Sequence, residues 1–246
     1  MNLTQQQIDQ FHHDGFLILN KFASKHLCDQ IHQSAQKHMN NLTLPIESEQ
    51  EYQQQKSTTI TLRRLRQVYD REDIFKQWMT NTEIRPMLKQ LLGETPVLTL
   101  AHHNSIMTKM PHDSSPTCWH QDKRYWHYHD DNLLSVWLAL DDEYLDNGLL
   151  EFIPSSHKLH LHPDQFDERT CFKDNKKNQS ILQNKVHSNL SKGDIVFFHC
   201  KTLHAASKNH TQKPKVSFVY TVKGIHTQAI TNSRSDAREV ILDDTV

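Results

Sequence analysis

The sequence predicts a mainly β protein, a cupin-like jelly roll with flanking α-helices that pack on one of its sheets. Apolar residues recur at helical spacing in the first 95 residues, whereas from Pro96 they form short runs divided by turns. Short strands in such number are typical of a jelly roll of two sheets. Asp146-Asn147-Gly148, a strong turn signal, separates two of the runs. The predicted strands are 96–102, 104–109, 117–127, 133–140, 149–153, 181–187, 194–199 and 215–222.

Four helices are predicted before residue 96, each from a residue that can cap its first turn. Thr4 begins the first helix, and Gln7 three residues later completes a capping-box pattern. The other three helices begin after Ser24, Asp70 and Thr82. A short strand is expected at 16–19, and a loop is expected over the polar, glutamine-rich residues 40–57.

The chain is expected to form one domain, 1–246, because β barrels and sandwiches of this size are often single units. Its helical N-terminal part covers about 1–95, and its jelly-roll core covers about 96–225. The polar interval 155–180 is too long for a tight turn, so we expect it to form a surface excursion.

Charge and cysteine usage narrow the class of protein. Lysine plus arginine number 28 and aspartate plus glutamate 29, so the net charge is −1. A nearly neutral chain has no general attraction to nucleic acid or anionic membranes. The expected partner is therefore a small-molecule substrate, with no nucleic acid and no membrane, and the expected assembly is a monomer or homodimer.

The four cysteines are scattered without a CxxC pair, which argues against a disulfide framework or a thiolate zinc site. Residues 1–5 lack the basic start and apolar run of a signal peptide, and no apolar stretch approaches about 18 residues. The expected compartment is the reducing cytoplasm.

The candidate metal ligands are a His-x-Asp step, His120 and Asp122, and one histidine far downstream. On an extended segment, side chains two residues apart point to the same face. One further imidazole from a distant strand would complete two histidines and one carboxylate, which is the usual cage for non-heme Fe(II). His204 follows an apolar strand and is one candidate, but alternation does not separate it from His199 and His210.

Further histidines crowd the His-x-Asp step, and each is expected to be exposed or to support a ligand from behind. These residues are His102, His103, His112, His127 and His129.

Three ordered blocks make the chain similar to the phytanoyl-CoA dioxygenase family. The blocks are 120–122, 147–158 and 192–204, and residues 15–18 continue the opening helix as in that family. The resemblance implies a double-stranded β-helix, which is a jelly roll, that binds Fe(II) and 2-oxoglutarate. It also implies that His120, Asp122 and His204 are the iron ligands, which resolves the choice among the downstream histidines.

The resemblance further implies a dioxygenase that uses O2 to hydroxylate an unidentified small organic substrate, with release of succinate and CO2. No catalytic residue is expected beyond the metal ligands, because the metal and the cosubstrate carry the difficult chemistry. A retained carboxylate at Asp122 favours hydroxylation, since related halogenases leave that ligand position to chloride.

The cosubstrate residues implied by the resemblance depart from the family pattern. The family's arginine, eleven residues after the distal histidine, is Lys215 here, and a lysine lacks the bidentate fork of arginine. The serine two residues after that histidine is Ala206. Lys215 is predicted to pair with the oxoacid carboxylate, or else to be a solvated lysine. Other positions that line the cosubstrate pocket in the family are Lys109, Ser105, Trp137 and, less securely aligned, Arg64.

Tyr125 and Trp126 are the candidate substrate residues, because they lie beside the predicted iron site; packing between sheet and helices would explain them equally well. Two other classes of function stay open. One is a catalytically silent jelly roll that binds a metal or ligand, which the changes at Lys215 and Ala206 favour. The other is a cupin-like hydrolase or isomerase with zinc or manganese as Lewis acid.

Overall fold

The computed structural model describes residues 1–55 and 60–243. Their α-helices are α1 (Gln5–Asp14), α2 (Lys25–Asn40), α3 (Glu49–Gln53), α4 (Asp73–Met79), α5 (Arg85–Leu92) and α6 (Gln179–Leu182). Helix α1 begins with the predicted capping box, in which the Thr4 hydroxyl accepts from the Gln7 amide N–H. Ser24 caps α2 in the same way. No helix in these residues combines the length and the apolar character needed to cross a membrane.

The strands form two antiparallel sheets. They are β1 (Phe16–Leu19), β2 (Ile46–Ser48), β3 (Leu62–Arg66), β4 (Pro96–Thr99), β5 (Ser105–Lys109), β6 (Thr117–His120), β7 (Leu133–Ala139), β8 (Leu150–Phe152), β9 (Val186–His187), β10 (Ile195–His199), β11 (His204–Ala206), β12 (Lys215–Gly224) and β13 (Glu239–Ile241). The large sheet has the order β1-β10-β7-β12-β5-β3-β2, and β4 joins β12 to β13 at its side. The small sheet has the order β6-β11-β8-β9.

Strand β7 packs against other parts of the protein on both faces of the large sheet. Its side chains point alternately to the two faces, and every one of its residues is buried. Val136 and Leu138 face one way, into the cluster that contains the helical residues Ile31 and Trp78. Trp137 faces the other way, into the cluster that also contains side chains of the small sheet. The helices therefore cover the outer face of the large sheet, and the second core lies between the two sheets.

The first 95 residues contribute more strand than the sequence predicts. Besides the expected β1, they supply β2 and β3, which extend the large sheet beyond β5. The residues 40–55 thus contain a strand and a short helix instead of a continuous loop, and the end of the predicted loop, 56–57, lies outside the described residues. Asp70 lies in a 3-10 turn ahead of α4, and the cap of α5 is Ile84, two residues beyond the expected Thr82.

Residues 155–180 form an excursion with little regular structure, but it is not wholly superficial. Phe166 and Phe172 pack edge to face with ring centroids 5.2 Å apart, in a cluster with Ile153 and Leu203. A disulfide joins Cys171 of this excursion to Cys118 on β6. The expectation of no disulfide is therefore wrong for this pair, because the fold brings together two cysteines that lie 53 residues apart in the sequence.

Candidate metal centre and adjoining cavity

Strand pairing brings the two predicted ligand histidines together. Strands β6 and β11 are antiparallel neighbours, and His120 lies directly opposite His204 in their register. Side chains at directly opposed positions lie on the same face of a sheet, and the two imidazole centroids are 4.2 Å apart. The remote histidine therefore reaches the His-x-Asp step through one rung of the small sheet.

Asp122 joins this pair because the backbone stays extended for one residue beyond β6. Gln121 has φ −115° and ψ 125°, and its side chain turns away to donate to the carbonyl of Lys201 at 2.6 Å. The Asp122 carboxylate returns to the same face as His120, as the His-x-Asp spacing predicts. The ligand atoms of His120, Asp122 and His204 all lie within 4.8 Å of one another.

Backbone carbonyls set the orientation of both imidazoles. The Nδ1–H of His120 donates to the carbonyl of Cys118 at 2.8 Å, and that of His204 donates to the carbonyl of Thr202 at 3.0 Å. Because a carbonyl only accepts, Nδ1 carries a proton in each ring and Nε2 is the nitrogen left to bind a metal; the two Nε2 atoms lie 3.6 and 3.8 Å from Asp122 Oδ1. An Nδ1–H bound in this way is the usual support of a metal-ligating histidine, so the donor set fits a divalent metal such as Fe(II).

The Thr202 segment that supports His204 is itself fixed by the end of α1. Gly15 has φ +83°, and its carbonyl accepts from the Thr202 hydroxyl and from the His199 backbone N–H, both at 2.8 Å. A Cβ at Gly15 would come within 2.5 Å of the Thr202 hydroxyl oxygen. Only glycine suits both the conformation and this close approach.

Protonation states at the trio suit metal binding. Burial, and next the neighbouring His120, lower the pKa of His204 to about 3, so its imidazole is neutral at neutral pH. Burial alone would raise the pKa of Asp122, but the imidazoles of His103 and His204 outweigh it and lower that pKa well below its ordinary value. His204 therefore offers a neutral imidazole and Asp122 an ionised carboxylate, which are the forms that bind a metal.

The other histidines take supporting or separate positions. His103 donates from Nε2 to Asp122 Oδ1 at 3.0 Å, so it supports a ligand from behind. His102 is buried and stacks on Trp126 with centroids 5.0 Å apart. His199 accepts the Lys201 backbone N–H on Nδ1 at 3.1 Å and is not one of the trio.

A cavity of about 470 Å³ adjoins the trio. Most of the residues that the sequence nominates for the cosubstrate and the substrate line it, namely Arg64, Lys109, Trp137, Lys215, Tyr125 and Trp126. Ser105 is buried on β5 opposite Val219 and Arg66, and it is not part of the described lining. Sequence reasoning missed three lining residues at the mouth, Tyr52, Arg169 and Arg234, because they come from separate segments of the chain, one of them the short helix α3, and no motif marks them.

Lys215 already has a carboxylate partner. Its ammonium lies 3.0 Å from Glu143 Oε2, and the side chains of the pair are only 2% and 0% exposed. Glu143 also accepts from Trp137 Nε1 at 2.8 Å and from the Ser217 hydroxyl at 2.6 Å. Glu143 was not anticipated, because it lies outside the predicted strands, in an isolated bridge with Leu190, and no motif marks it.

Lys109 is the second lysine that lines the cavity, and its side-chain hydrogen-bond partners are all neutral. Its Nζ donates to the carbonyl of Ser115 at 2.6 Å and approaches the Thr117 hydroxyl at 3.4 Å. Burial, and then the positive charges of Arg63 and Lys215, lower the pKa of Lys109 well below its ordinary value. Arg63 nearby is paired with Glu49 at 3.2 Å.

The mouth of the cavity is aromatic and cationic. The Tyr125 hydroxyl donates to the carbonyl of Arg169 at 2.9 Å, and the Arg169 guanidinium lies 5.1 Å from the centroid of the Tyr52 ring. Tyr125 is 39% exposed and lies edge-on to His120, whereas Trp126 is buried. The two candidate substrate residues thus form one exposed and one buried part of the same wall.

A model of the phytanoyl-CoA dioxygenase (PhyH) family matches residues 11–217. The chain belongs to this family. The match includes both strands that carry the trio, so the resemblance seen in the three sequence blocks extends over most of the fold.

Two curated relatives show how far the similarity reaches. A probable alpha-ketoglutarate-dependent hypophosphite dioxygenase of Stutzerimonas stutzeri is 26% identical over 159 residues, which are 63% of this chain and 54% of the relative. The peroxisomal phytanoyl-CoA dioxygenase of Homo sapiens is 31% identical over 121 residues, which are 46% of this chain and 36% of the relative. The chain thus matches about half or less of the length of these relatives.

Solved structures of the same fold confirm the predicted fold class. EctD from S. alaskensis with bound Fe superposes with a TM-score of 0.78 at 16% identity, covering 93% of this chain and 79% of EctD. The epimerase SnoN in complex with Fe3+, alpha ketoglutarate and nogalamycin RO superposes with a TM-score of 0.74 at 18% identity, covering 92% of this chain and 85% of SnoN. At these identities the likeness establishes the jelly-roll fold.

Proposed function

We propose that the protein is a non-heme Fe(II)- and 2-oxoglutarate-dependent dioxygenase that hydroxylates a small organic molecule. The convergence of His120, Asp122 and His204 on the lining of one cavity carries this proposal. Two imidazoles and one carboxylate leave adjacent coordination positions open, which an oxoacid and O2 require. Family membership supports the same reading.

The three ligands have distinct tasks in this proposal. His120 and His204 present their Nε2 atoms as donors, and Asp122 supplies the one negative charge that reduces the charge of the metal centre. Bound Fe(II) with 2-oxoglutarate and O2 would supply the oxidising chemistry, with release of succinate and CO2. The protein supplies orientation, through the carbonyls of Cys118 and Thr202, and exclusion of water, through the buried wall.

The cavity provides space for cosubstrate and substrate together. We assign the cosubstrate to the floor, where Lys109, Trp137 and Lys215 lie, and the substrate to the mouth beside Tyr125 and Trp126. Arg64 is held beside Glu47 on β2 and lines the same cavity. The names of the relatives, a hypophosphite dioxygenase and phytanoyl-CoA dioxygenases, leave the substrate of this chain open.

Anaerobic titration tests the proposal. Adding 2-oxoglutarate to the protein with Fe(II) should produce a weak visible charge-transfer band, and His120→Ala or His204→Ala should abolish it. His210→Ala is the matched control, because His210 is exposed and outside the trio. A silent binding protein or a zinc or manganese hydrolase would bind metal but stay indifferent to 2-oxoglutarate, and that result would overturn the proposal.

Compartment and assembly stay predictions. The cytoplasmic location expected from the sequence has one observation against it, because disulfides such as Cys118–Cys171 persist mainly in oxidising compartments. Fractionation of the source cells decides the location, and light scattering decides between monomer and homodimer.

A further inference from the structure

Two lysines stand side by side on the cavity floor, but only one of them is neutralised. Lys109 on β5 lies directly opposite Lys215 on β12 in the strand register, and both side chains line the cavity. Lys215 is paired with Glu143 at 3.0 Å. Within residues 1–55 and 60–243, no carboxylate forms an ion pair with Lys109 within 4.0 Å.

Glu143 occupies the cradle in which a cosubstrate carboxylate would bind Lys215. Its two oxygens receive donors from Lys215, Trp137 and Ser217, which is the set of contacts that a bound carboxylate needs. A second carboxylate arriving at Lys215 would lie against the first. Because two carboxylates in one buried site repel each other, Lys215 is a poor anchor while Glu143 remains in place.

Lys109 is the cation that lacks an anion. An ammonium has three N–H donors. One of those of Lys109 forms a short hydrogen bond to the carbonyl of Ser115, and a second forms only a long one to the Thr117 hydroxyl. Its stem passes close to Gly148, where an added Cβ would lie 3.1 Å from Lys109 Cγ. Gly148, with φ +87°, thus leaves room for the lysine stem, so the predicted turn serves the cavity floor.

The charge balance of the residues at the cavity floor supports the same conclusion. Arg63 with Glu49 and Lys215 with Glu143 form two neutral pairs, which leaves Lys109 as one uncompensated buried cation. A buried charge is costly unless it meets an opposite charge, so this position favours a bound anion. An anion there would raise the pKa of Lys109 again, because its negative charge would oppose the lowering by burial, Arg63 and Lys215, which Glu49 opposes only in part.

We propose that Lys109, and not Lys215, binds the distal carboxylate of 2-oxoglutarate, and that Glu143 withholds Lys215 from this role. The inference rests on the proposed function, since it assumes that the oxoacid occupies the cavity floor. It makes Lys109 the residue that selects a dicarboxylic over a monocarboxylic oxoacid.

The test compares two ligands that differ only in the distal group, 2-oxoglutarate and 2-oxopentanoate. Affinities are measured by calorimetry on the full chain with Fe(II) under anaerobic conditions, so no turnover is needed. The variants are Lys109→Met and, as matched control, Lys215→Met combined with Glu143→Gln, which removes the neutral pair as a unit. The ratio of the two affinities within one variant does not depend on the fraction of folded protein.

The wild type should prefer 2-oxoglutarate by on the order of 30-fold or more, as expected for a buried, charge-assisted contact. Lys109→Met should abolish this preference, and the paired control should retain it. Glu143→Gln alone should increase the affinity for 2-oxoglutarate by about tenfold and leave the affinity for 2-oxopentanoate unchanged. The reason is that a charge of the same sign as the ligand is removed and Lys215 becomes free to bind it.

Loss of the preference in the paired control, with retention in Lys109→Met, would overturn the inference and return the role to Lys215. An unchanged affinity of Glu143→Gln for 2-oxoglutarate would refute the part assigned to Glu143. Neither result affects the proposed function, because the oxoacid still binds beside Fe(II). A wild-type protein that binds neither oxoacid would remove both proposals.

Discussion

Replacing Lys215 by methionine should destabilise the metal-free protein by about 3–5 kcal/mol, the usual cost of removing one partner from a buried ion pair. The structure supports the upper part of this range. The charges are 3.0 Å apart and their side chains are 2% and 0% exposed, and at an effective dielectric constant of about 20 such a pair attracts by about 5 kcal/mol. Glu143 would keep only the neutral donors Trp137 and Ser217.

Urea unfolding in the presence of a chelator measures the effect, with midpoints compared at matched slopes. A double-mutant cycle with Glu143→Gln separates the pair from its surroundings, because the double variant no longer buries a lone carboxylate. The double variant should therefore be more stable than Lys215→Met alone. A cost below about 1 kcal/mol for Lys215→Met, or strict additivity in the cycle, would refute the assignment of a buried, mutually dependent pair.

Three further predictions concern the rest of the fold. The free energy of unfolding of the double variant Cys118→Ser/Cys171→Ser should be about 2–4 kcal/mol lower than that of the wild type, because the disulfide closes a loop of 53 residues. Four titratable thiols in the denatured, unreduced wild type would contradict the assignment of this disulfide. The free energy of unfolding should fall as the pH drops from about 6.5 toward 3: burial lowers the pKa of His102 to about 3, so in this window the unfolded chain binds a proton that the folded protein does not. His102→Gln should reduce that slope in urea unfolding at several pH values without abolishing it, because the pKa of His204 is lowered in the same way, and an unchanged slope would exclude a contribution from His102. Phe152→Ala should cost about 3–5 kcal/mol in the same assay, because the ring is fully buried and stacks on Phe16 with centroids 4.7 Å apart; a cost near zero would mean that the core between the sheets is not close-packed.

Periodicity and caps predicted most of the architecture, because these signals are local. The capping box at Thr4 and the apolar run of β7 each follow from a few neighbouring residues. Strands β2 and β3 were missed, since polar, glutamine-rich residues follow the three residues of β2 directly and β3 contains only two leucines among three arginines. Their place in the sheet depends on pairing with β5, which is a tertiary contact.

The site was predictable where residue chemistry alone limits the choices. His-x-Asp spacing placed His120 and Asp122 on one face, but only the family resemblance distinguished His204 from its competitors. The register of β6 with β11 supplies the physical reason that spacing could not give. Glu143 could not be foreseen, because a carboxylate in a polar stretch of sequence looks solvated until the fold encloses it.

The glycine that ends the first helix has a consequence for how small this protein can be made. Gly15 holds Thr202 through its carbonyl, and Thr202 in turn fixes the ring of His204. A shortened protein that begins at the barrel and lacks the first helix would keep all three ligand side chains. The imidazole of His204 would then no longer be held in one orientation. The opening fifteen residues are thus an integral brace of the metal cage, although they touch no ligand atom themselves.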